Sequence, residues 1–387
     1  MRYAMIMAGG AGTRLWPMSR QDRPKQILKF IRRGRDAAEV SLLELAAGRL
    51  TGLVEPANRY ICTAEGYRGV IRALLPGFGD EQVLGEPVGR DTVNAVGLTA
   101  AVLHKRDKDA VFCVLTADHV IEPEDVFRAR MDLGFRLVDN DPRRFVTFSI
   151  KPSFPATGFG YVERGTPIRD AKNDRHGAID GVKEHCYHVA RFVEKPDAAR
   201  AEAYVKSGDF GWNSGMFVWK ASSVLDALRL FKPESYEGLM KIQAAWGTKK
   251  QKHVLEEVYP TLPRISVDYA LMEPAAKQSQ AAGKASDARF SVCTVQMDLT
   301  WLDVGSWPSY AQTLSPDKNG NRASGAGAAA FNGSRNNLVV SQQGHTVALL
   351  GCENMIVVQT PDATLVMPAA RSEDLKSLHG QLPDALK

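Results

Sequence analysis

The chain reads as an α/β protein, a largely parallel sheet with helices on both faces, followed by a small all-β, solenoid-like unit. Three observations lead to that class. Up to about residue 150, short apolar runs alternate with helical patterns, as in a parallel sheet covered on both sides. The first run, Tyr3-Ala4-Met5-Ile6-Met7-Ala8, breaks abruptly into glycines, as a buried strand does where it reaches a ligand-binding edge. Beyond about residue 315, the runs Leu338-Val339-Val340, Val347-Ala348-Leu349-Leu350, Met355-Ile356-Val357-Val358 and Thr364-Leu365-Val366-Met367 recur at roughly eight- or nine-residue intervals between Gly, Asn, Asp or Pro turns.

In chain order, strands are expected near residues 3–8, 59–63, 82–86, 110–115 and 144–149, with helices near 41–52, 67–75, 93–105 and 123–138. Ser41-x-x-Glu44 forms a capping box that leads into Leu42, Leu45, Ala46 and Leu50. From 150 to about 310 the pattern is mixed: strands near 188–195, 215–219 and 290–298, and helices near 197–207, 221–231 and 234–246. Asp317 to Gly327, rich in Gly, Asn and Ala, reads as a connection. The expected division is residues 1–314 and residues 315–387.

Composition narrows the function classes. With 44% hydrophobic and 24% charged residues in 387, the chain has the make-up of an ordinary soluble protein. No apolar stretch approaches the roughly 18 residues needed to span a bilayer, and only Arg2 precedes the first strand, so neither a membrane span nor a signal peptide is expected. Five cysteines without a C-x-x-C pair suit a reducing compartment, and a cytoplasmic location is expected. His185-Cys186-x-His188 is the nearest approach to a zinc cluster, but neighbours in a strand face opposite ways. A net charge of +5 is mild, and the densest basic run, Arg32-Arg33-x-Arg35, reads as a solvated loop rather than a nucleic-acid face.

The glycines after the first strand, Gly9-Gly10-Ala11-Gly12-Thr13-Arg14, offer backbone N–H groups with no side chains in the way, and Arg14 and Lys25 add positive charge. That combination points to a phosphate site. It is neither a P-loop, since Gly12 is followed by Thr13-Arg14 and not by the required spacing, nor a dinucleotide fingerprint, since Leu15 stands where the last glycine should be. Glu86 to Thr92 and Ala117-Asp118 also follow apolar runs, so all three segments are expected at the carboxyl ends of strands, lining one crevice.

The string Gly-Gly-Ala-Gly-Thr-Arg-Leu-Trp-Pro, followed by Arg23-Pro24-Lys25-Gln26, resembles the sugar nucleotidyltransferases, and within them the mannose-1-phosphate guanylyltransferases. Further matches in the family's order are Glu86-Pro87 with Arg90-Asp91-Thr92, Leu115 to Ile121 around Asp118, Phe192-Val193-Glu194-Lys195-Pro196, Trp212 to Phe217, Ser266 to Ala270 and Trp301 to Trp307. The resemblance implies a Rossmann-like (GT-A-like) nucleotidyltransferase fold with a mixed sheet. It also implies roles. Ala8, Gly9, Gly10, Gly12, Thr13, Arg14 and Lys25 would bind the nucleotide together with Asp118, and Glu86, Arg90, Asp91 and Thr92 would read its base. Gly160, Glu194, Lys195, Asn213 and Asp268 would bind the sugar, the glutamate through hydroxyls and the lysine through the sugar phosphate. Asp118 and Asp303 would hold Mg²⁺, and Arg14, Lys25, Asp118 and Lys195 would carry catalysis. Whether Asp268 binds sugar or supports the metal stays open.

The chemistry agrees with this inventory. Nucleotidyl transfer joins a sugar 1-phosphate to the α-phosphate of a nucleoside triphosphate and expels pyrophosphate. The attacking phosphate has a second pKa near about 6 and needs no general base. The barrier is repulsion between anions, so cations and in-line positioning matter more than a Ser, Cys or His nucleophile. A carboxylate such as Glu86 suits guanine, whose N1–H and N2–H₂ are adjacent donors. The chain has Asp91, Val93 and Asn94 where the family usually reads Asn, Ala and Pro. The expected activity is transfer of GMP from GTP to mannose 1-phosphate. The alternatives are a nucleotidyltransferase for a heptose or glucose 1-phosphate, or a non-catalytic GDP-mannose-binding regulator. The isomerase activity of longer, bifunctional relatives is not expected. Neither nucleic acid nor membrane is an expected partner; a homodimer is left open, the strands at 338–367 serving it or capping the sheet.

Overall fold

The computed structural model describes residues 1–10, 12–32, 38–168, 182–281, 288–342 and 344–387. Ala11 of the glycine loop and Arg33 and Arg35 of the basic run lie outside the described residues. The chain forms two compact units. The first comprises Met1–Met7, Arg49–Thr116 and Glu122–Leu299, and the second Ala8–Gly48, Ala117–Ile121 and Thr300–Lys387. No helix among the described residues is long and apolar enough to cross a membrane.

The first unit is built on a nine-stranded sheet with the order 83–86, 59–64, 2–7, 111–116, 210–220, 144–150, 291–297, 186–193 and 161–167. The sheet is mixed, as expected. The first four strands in that order run parallel, so their carboxyl ends share one edge. Phe210–Lys220 is antiparallel to the strands on both sides of it. Helices cover both faces because the strand side chains alternate. Phe217 and Trp219 stack on each other in the apolar cluster with helices Asp91–Arg106 and Ala221–Phe231, while Val218 faces Gly134 of helix Glu124–Asn140.

Three differences from the sequence reading bear on the site. The expected strand at 215–219 begins at Phe210, because Gly211, Asn213 and Gly215 mask a run that is nevertheless paired on both edges. A register shift between Asn213 and Phe217, with Gly215 at φ 68°, marks a bulge there. The expected strand at 188–195 instead spans Cys186–Val193 and stops before Glu194. The strand Tyr161–Pro167, paired with Cys186–Val193 and at its start also with Phe210–Trp212, was hidden by Gly165 and Pro167, which fall in its second half, where only one side is paired.

The second unit contains parallel coils. Ala329 pairs with Val347, Leu338 with Ile356 and Arg335 with Glu353, so side chains 18 residues apart stack from one coil to the next. The strand Thr364–Pro368 closes the stack by antiparallel pairing. The core of this unit joins Leu338, Val340, Ile356 and Val358 to Leu15, Trp16, Trp307 and Tyr310. The capping box is present: Glu44 N–H donates to Ser41 Oγ at 3.1 Å and Ser41 N–H to Glu44 Oε2 at 2.7 Å, though the helix ends at Gly48 rather than near 52.

Candidate active site

The glycine loop lies in the second unit and is fixed by side chains of its own signature. Gln26 Nε2 donates to Gly10 O at 2.8 Å and Ser19 Oγ to Gly12 O at 2.7 Å. Gly12 has φ 71°, and a Cβ there would stand 2.6 Å from Lys25 Cβ, so both its backbone conformation and the approach of Lys25 require glycine. Thr13, Arg14 and Leu15 form a short 3₁₀ turn, while Gly9 and Gly10 are exposed beside buried Ala8.

Lys25 is nearly buried, and its Nζ lies 2.6 Å from Asp118 Oδ2. Burial alone would pull the ammonium pKa down. Asp118 and Asp303 outweigh it and hold the pKa above its ordinary value. Asp118, in the turn after the strand Val111–Thr116, is pushed up by burial but pulled further down, to about 2, by Lys25 and His119. Asp303 ends the strand Thr300–Asp303, and burial followed by the charge of Asp118 raises it to about 6. The two turns are joined by a hydrogen bond from Val304 N–H to Asp118 O at 2.9 Å.

Asp118, His119 and Asp303 each present a ligating atom within 4.8 Å of the others. Trp301 Nε1 donates to His119 Nδ1 at 3.1 Å, which puts the proton of a neutral ring on Nε2, 3.7 Å from Asp118 Oδ1, so the two carboxylates and not the ring are the donors a cation would meet. Buried Asp303 Oδ1 has no hydrogen-bond partner among the described residues. Hard oxygen donors with an unsatisfied, buried carboxylate oxygen fit a divalent cation.

A second group assembles in the first unit. Asn213 Nδ2 donates to Asp268 Oδ1 at 2.9 Å, and Thr147 Oγ1 donates to Asn213 Oδ1 at 2.8 Å. Lys195 Nζ lies 2.7 Å from Glu194 Oε1, with φ 46° at Lys195 taking the chain out of the strand, so adjacent residues that would diverge in a strand converge here. A Cβ on Gly160 would come within 2.5 Å of Glu194 Oε2 and 3.3 Å of Asn213 Cβ. Asp268 opens a π-helical turn, Asp268–Met272, and burial followed by Glu194 raises its pKa to about 7. The structure therefore groups Asp268 with Gly160, Glu194, Lys195 and Asn213.

Glu86 ends the strand Val83–Glu86, is 6% exposed, and accepts a 2.6 Å hydrogen bond from Tyr259 Oη. Burial raises its pKa to about 7, against the lowering effect of that bond. Arg90 donates to Pro260 O. Asp91 adopts φ 60° and accepts from Thr92 N–H at 2.8 Å. Thr92 Oγ1 accepts from Val267 N–H at 2.8 Å, and Asn94 Nδ2 donates to Pro263 O at 2.6 Å. The segment from Tyr259 to Val267 thus straps the 86–94 loop and ends next to Asp268.

Sequence reasoning missed Tyr259, His119 and Glu373, whose Oε1 lies 2.8 Å from Arg14 Nη1. His119 stood inside a recognised motif beside Asp118. Tyr259 and Glu373 carried no local signal.

Residues 3–319 match the family described as nucleotidyl transferase, and residues 333–382 a family described as MannoseP isomerase/GMP-like beta-helix domain. A mannose-1-phosphate guanylyltransferase of Klebsiella pneumoniae is 35% identical over 379 residues, 97% of this chain and 73% of that protein. One from Escherichia coli K12 is 34% identical over 385 residues, 98% of this chain and 73% of that protein. A crystal structure described as mannose-1-phosphate geranyltransferase from Thermus thermophilus matches with TM-score 0.80 at 29% identity, covering 98% of each chain. These matches bear out the resemblance and the fold class read from the motifs: the chain belongs to the nucleotidyl transferase family.

Proposed function

We propose that the chain transfers GMP from GTP to α-D-mannose 1-phosphate, forming GDP-mannose and releasing pyrophosphate. The observation that carries this reading is the cluster of Lys25, Asp118 and Asp303 in the same unit as the glycine loop and Arg14, supported by relatives named mannose-1-phosphate guanylyltransferase. A sugar-phosphate oxygen attacks the α-phosphorus in line as the bond to the β-phosphate oxygen breaks.

In this reading the backbone N–H groups from Ala8 to Thr13 and the Arg14 guanidinium hold the triphosphate. Lys25 offsets the charge that gathers at the α-phosphate and keeps Asp118 ionised. Glu86 accepts guanine N1–H and N2–H₂, with Arg90, Asp91 and Thr92 shaping the loop around it. Glu194, Asn213 and Asp268 take the sugar hydroxyls, Gly160 leaves room for the ring, and Lys195 pairs with the sugar phosphate. Asp118 and Asp303 would hold Mg²⁺, which when bound neutralises phosphate charge. A cytoplasmic location accords with the buried thiols of Cys62, Cys113, Cys186 and Cys293.

Pyrophosphate release is measured with Mg²⁺ and GTP, ATP, UTP or dTTP against mannose, glucose and heptose 1-phosphates. Release confined to GTP with mannose 1-phosphate is expected. Release with another pair reassigns the substrate, and no release despite GDP-mannose binding favours a regulator.

A further inference from the structure

We infer that Glu373 is a positioning residue of the phosphate site: it draws the Arg14 guanidinium away from Asp303 and so leaves that carboxylate open to a divalent cation. The inference rests on the reading of Asp118 and Asp303 as the cation pair. Arg14 stands between two acids of the second unit. Its Nη1 is 2.8 Å from Glu373 Oε1. On the other side, a Cβ placed on Gly305 would lie 3.3 Å from Arg14 Nη2 and 3.2 Å from Asp303 Oδ1, so both atoms flank one point.

Asp303 Oδ1 is buried without a hydrogen-bond partner among the described residues, and the Arg14 charge already acts on this carboxylate. A guanidinium with five donors on a flexible stem would satisfy that oxygen if nothing held it elsewhere. Glu373 is what holds it. The ion pair is exposed, 39% at Arg14 and 73% at Glu373, so it adds little to stability, and its consequence is geometric.

The position of Glu373 does not depend on the pair. It sits in the 3₁₀ segment Ala369–Asp374, and the helix that follows, Leu375–Gln381, packs on the turn containing Arg14. Leu375 shares a core with Leu15 and Trp16. Trp16 Nε1 donates to Leu386 O at 2.7 Å, Gln21 N–H to Lys387 O at 2.8 Å, and Arg20 Nη2 to both oxygens of Asp362 at 2.9 and 3.0 Å. The C-terminal segment therefore holds the loop after Gly12 through contacts that survive loss of the Glu373 carboxylate.

The test is Mn²⁺ binding to the substrate-free protein, followed by electron paramagnetic resonance of the free ion. Glu373→Ala is expected to weaken binding by about 10-fold, the lower end of what outer-sphere partners of a metal contribute. Glu373→Gln, whose amide oxygen still accepts from Arg14, should fall between, and melting temperatures should match the parent. In an Arg14→Ala background, Glu373→Ala should change nothing, since the side chain it restrains is gone. Parent-like or tighter Mn²⁺ binding by Glu373→Ala, or the same weakening without Arg14, overturns the inference. Asp303→Asn separates the two levels. If it binds Mn²⁺ like the parent, the cation-pair reading itself fails; if it loses binding while Glu373→Ala does not, only the role of Glu373 fails.

Discussion

A carboxylate that accepts two donors from guanine must be ionised, yet Glu86 lies where burial and Asp91 hold its pKa up to about 7, with only the Tyr259 hydroxyl lowering it. Cys62 and Arg90 are the other titratable groups acting around this pair. The KM for GTP should therefore fall as pH rises through about 7. Tyr259→Phe removes the lowering hydrogen bond and should move that transition to higher pH; a flat GTP profile in the parent enzyme would remove Glu86 as the base reader. Asp303 gives a second expectation at this scale. Its ionised form is opposed by burial and by Asp118, so Asp303→Asn should leave the melting temperature at least as high while turnover drops by at least about 100-fold. Asp118 and Glu86 were legible in the sequence because each follows an apolar run at a strand end, and Asp303 because it stands in the motif Trp301 to Trp307 that resembles the family's. Tyr259 and Glu373 were not, because their partners are 173 and 359 residues away.

Between residues and the whole chain lies the coil of the C-terminal region, whose sequence rhythm was legible at half its true length. Intervals of roughly eight or nine residues mark successive strands, and two of them make the 18-residue offset that stacks Ser341 on Gln359 and Asn337 under Met355. Asn337 is the internal post of this stack. It is 1% exposed, donates from Nδ2 to Asn321 Oδ1 and to Cys352 O, both at 2.9 Å, and accepts from Met355 N–H at 2.9 Å. Asn337→Ala strips partners from backbone groups on the next coil, and we expect a loss of about 3 kcal/mol in urea unfolding. The same reasoning explains which strands escaped sequence reading. Apolar runs announce central strands, whereas Tyr161–Pro167 and the first half of Phe210–Lys220 are held by pairing despite glycine, asparagine and proline.

Across the whole molecule, the site acids set how stability responds to pH. Glu86 and Asp268 have pKa values raised to about 7, so the folded chain holds protons that the unfolded chain has lost above about pH 4. Their contribution is fully present below that ordinary carboxylate value and is lost as pH rises through about 7. Asp107, Asp141 and Asp362 have the opposite sign: their pKa values are lowered, so their contribution is present above the ordinary range and lost as pH falls below it. The melting temperature should therefore peak in acidic buffer just above the ordinary carboxylate range, decline up to about pH 7 and level off beyond it. Glu86→Gln combined with Asp268→Asn should flatten that decline and raise the melting temperature at about pH 8, because amides cannot be left ionised in a desolvated place. Ligands that satisfy these carboxylates should act in the same direction: under the proposed function, GTP and mannose 1-phosphate supply donors to Glu86 and Asp268, so their stabilisation of the parent should be larger at about pH 8 than at about pH 5.5. Equal shifts at both pH values would mean that these acids do not meet the substrates.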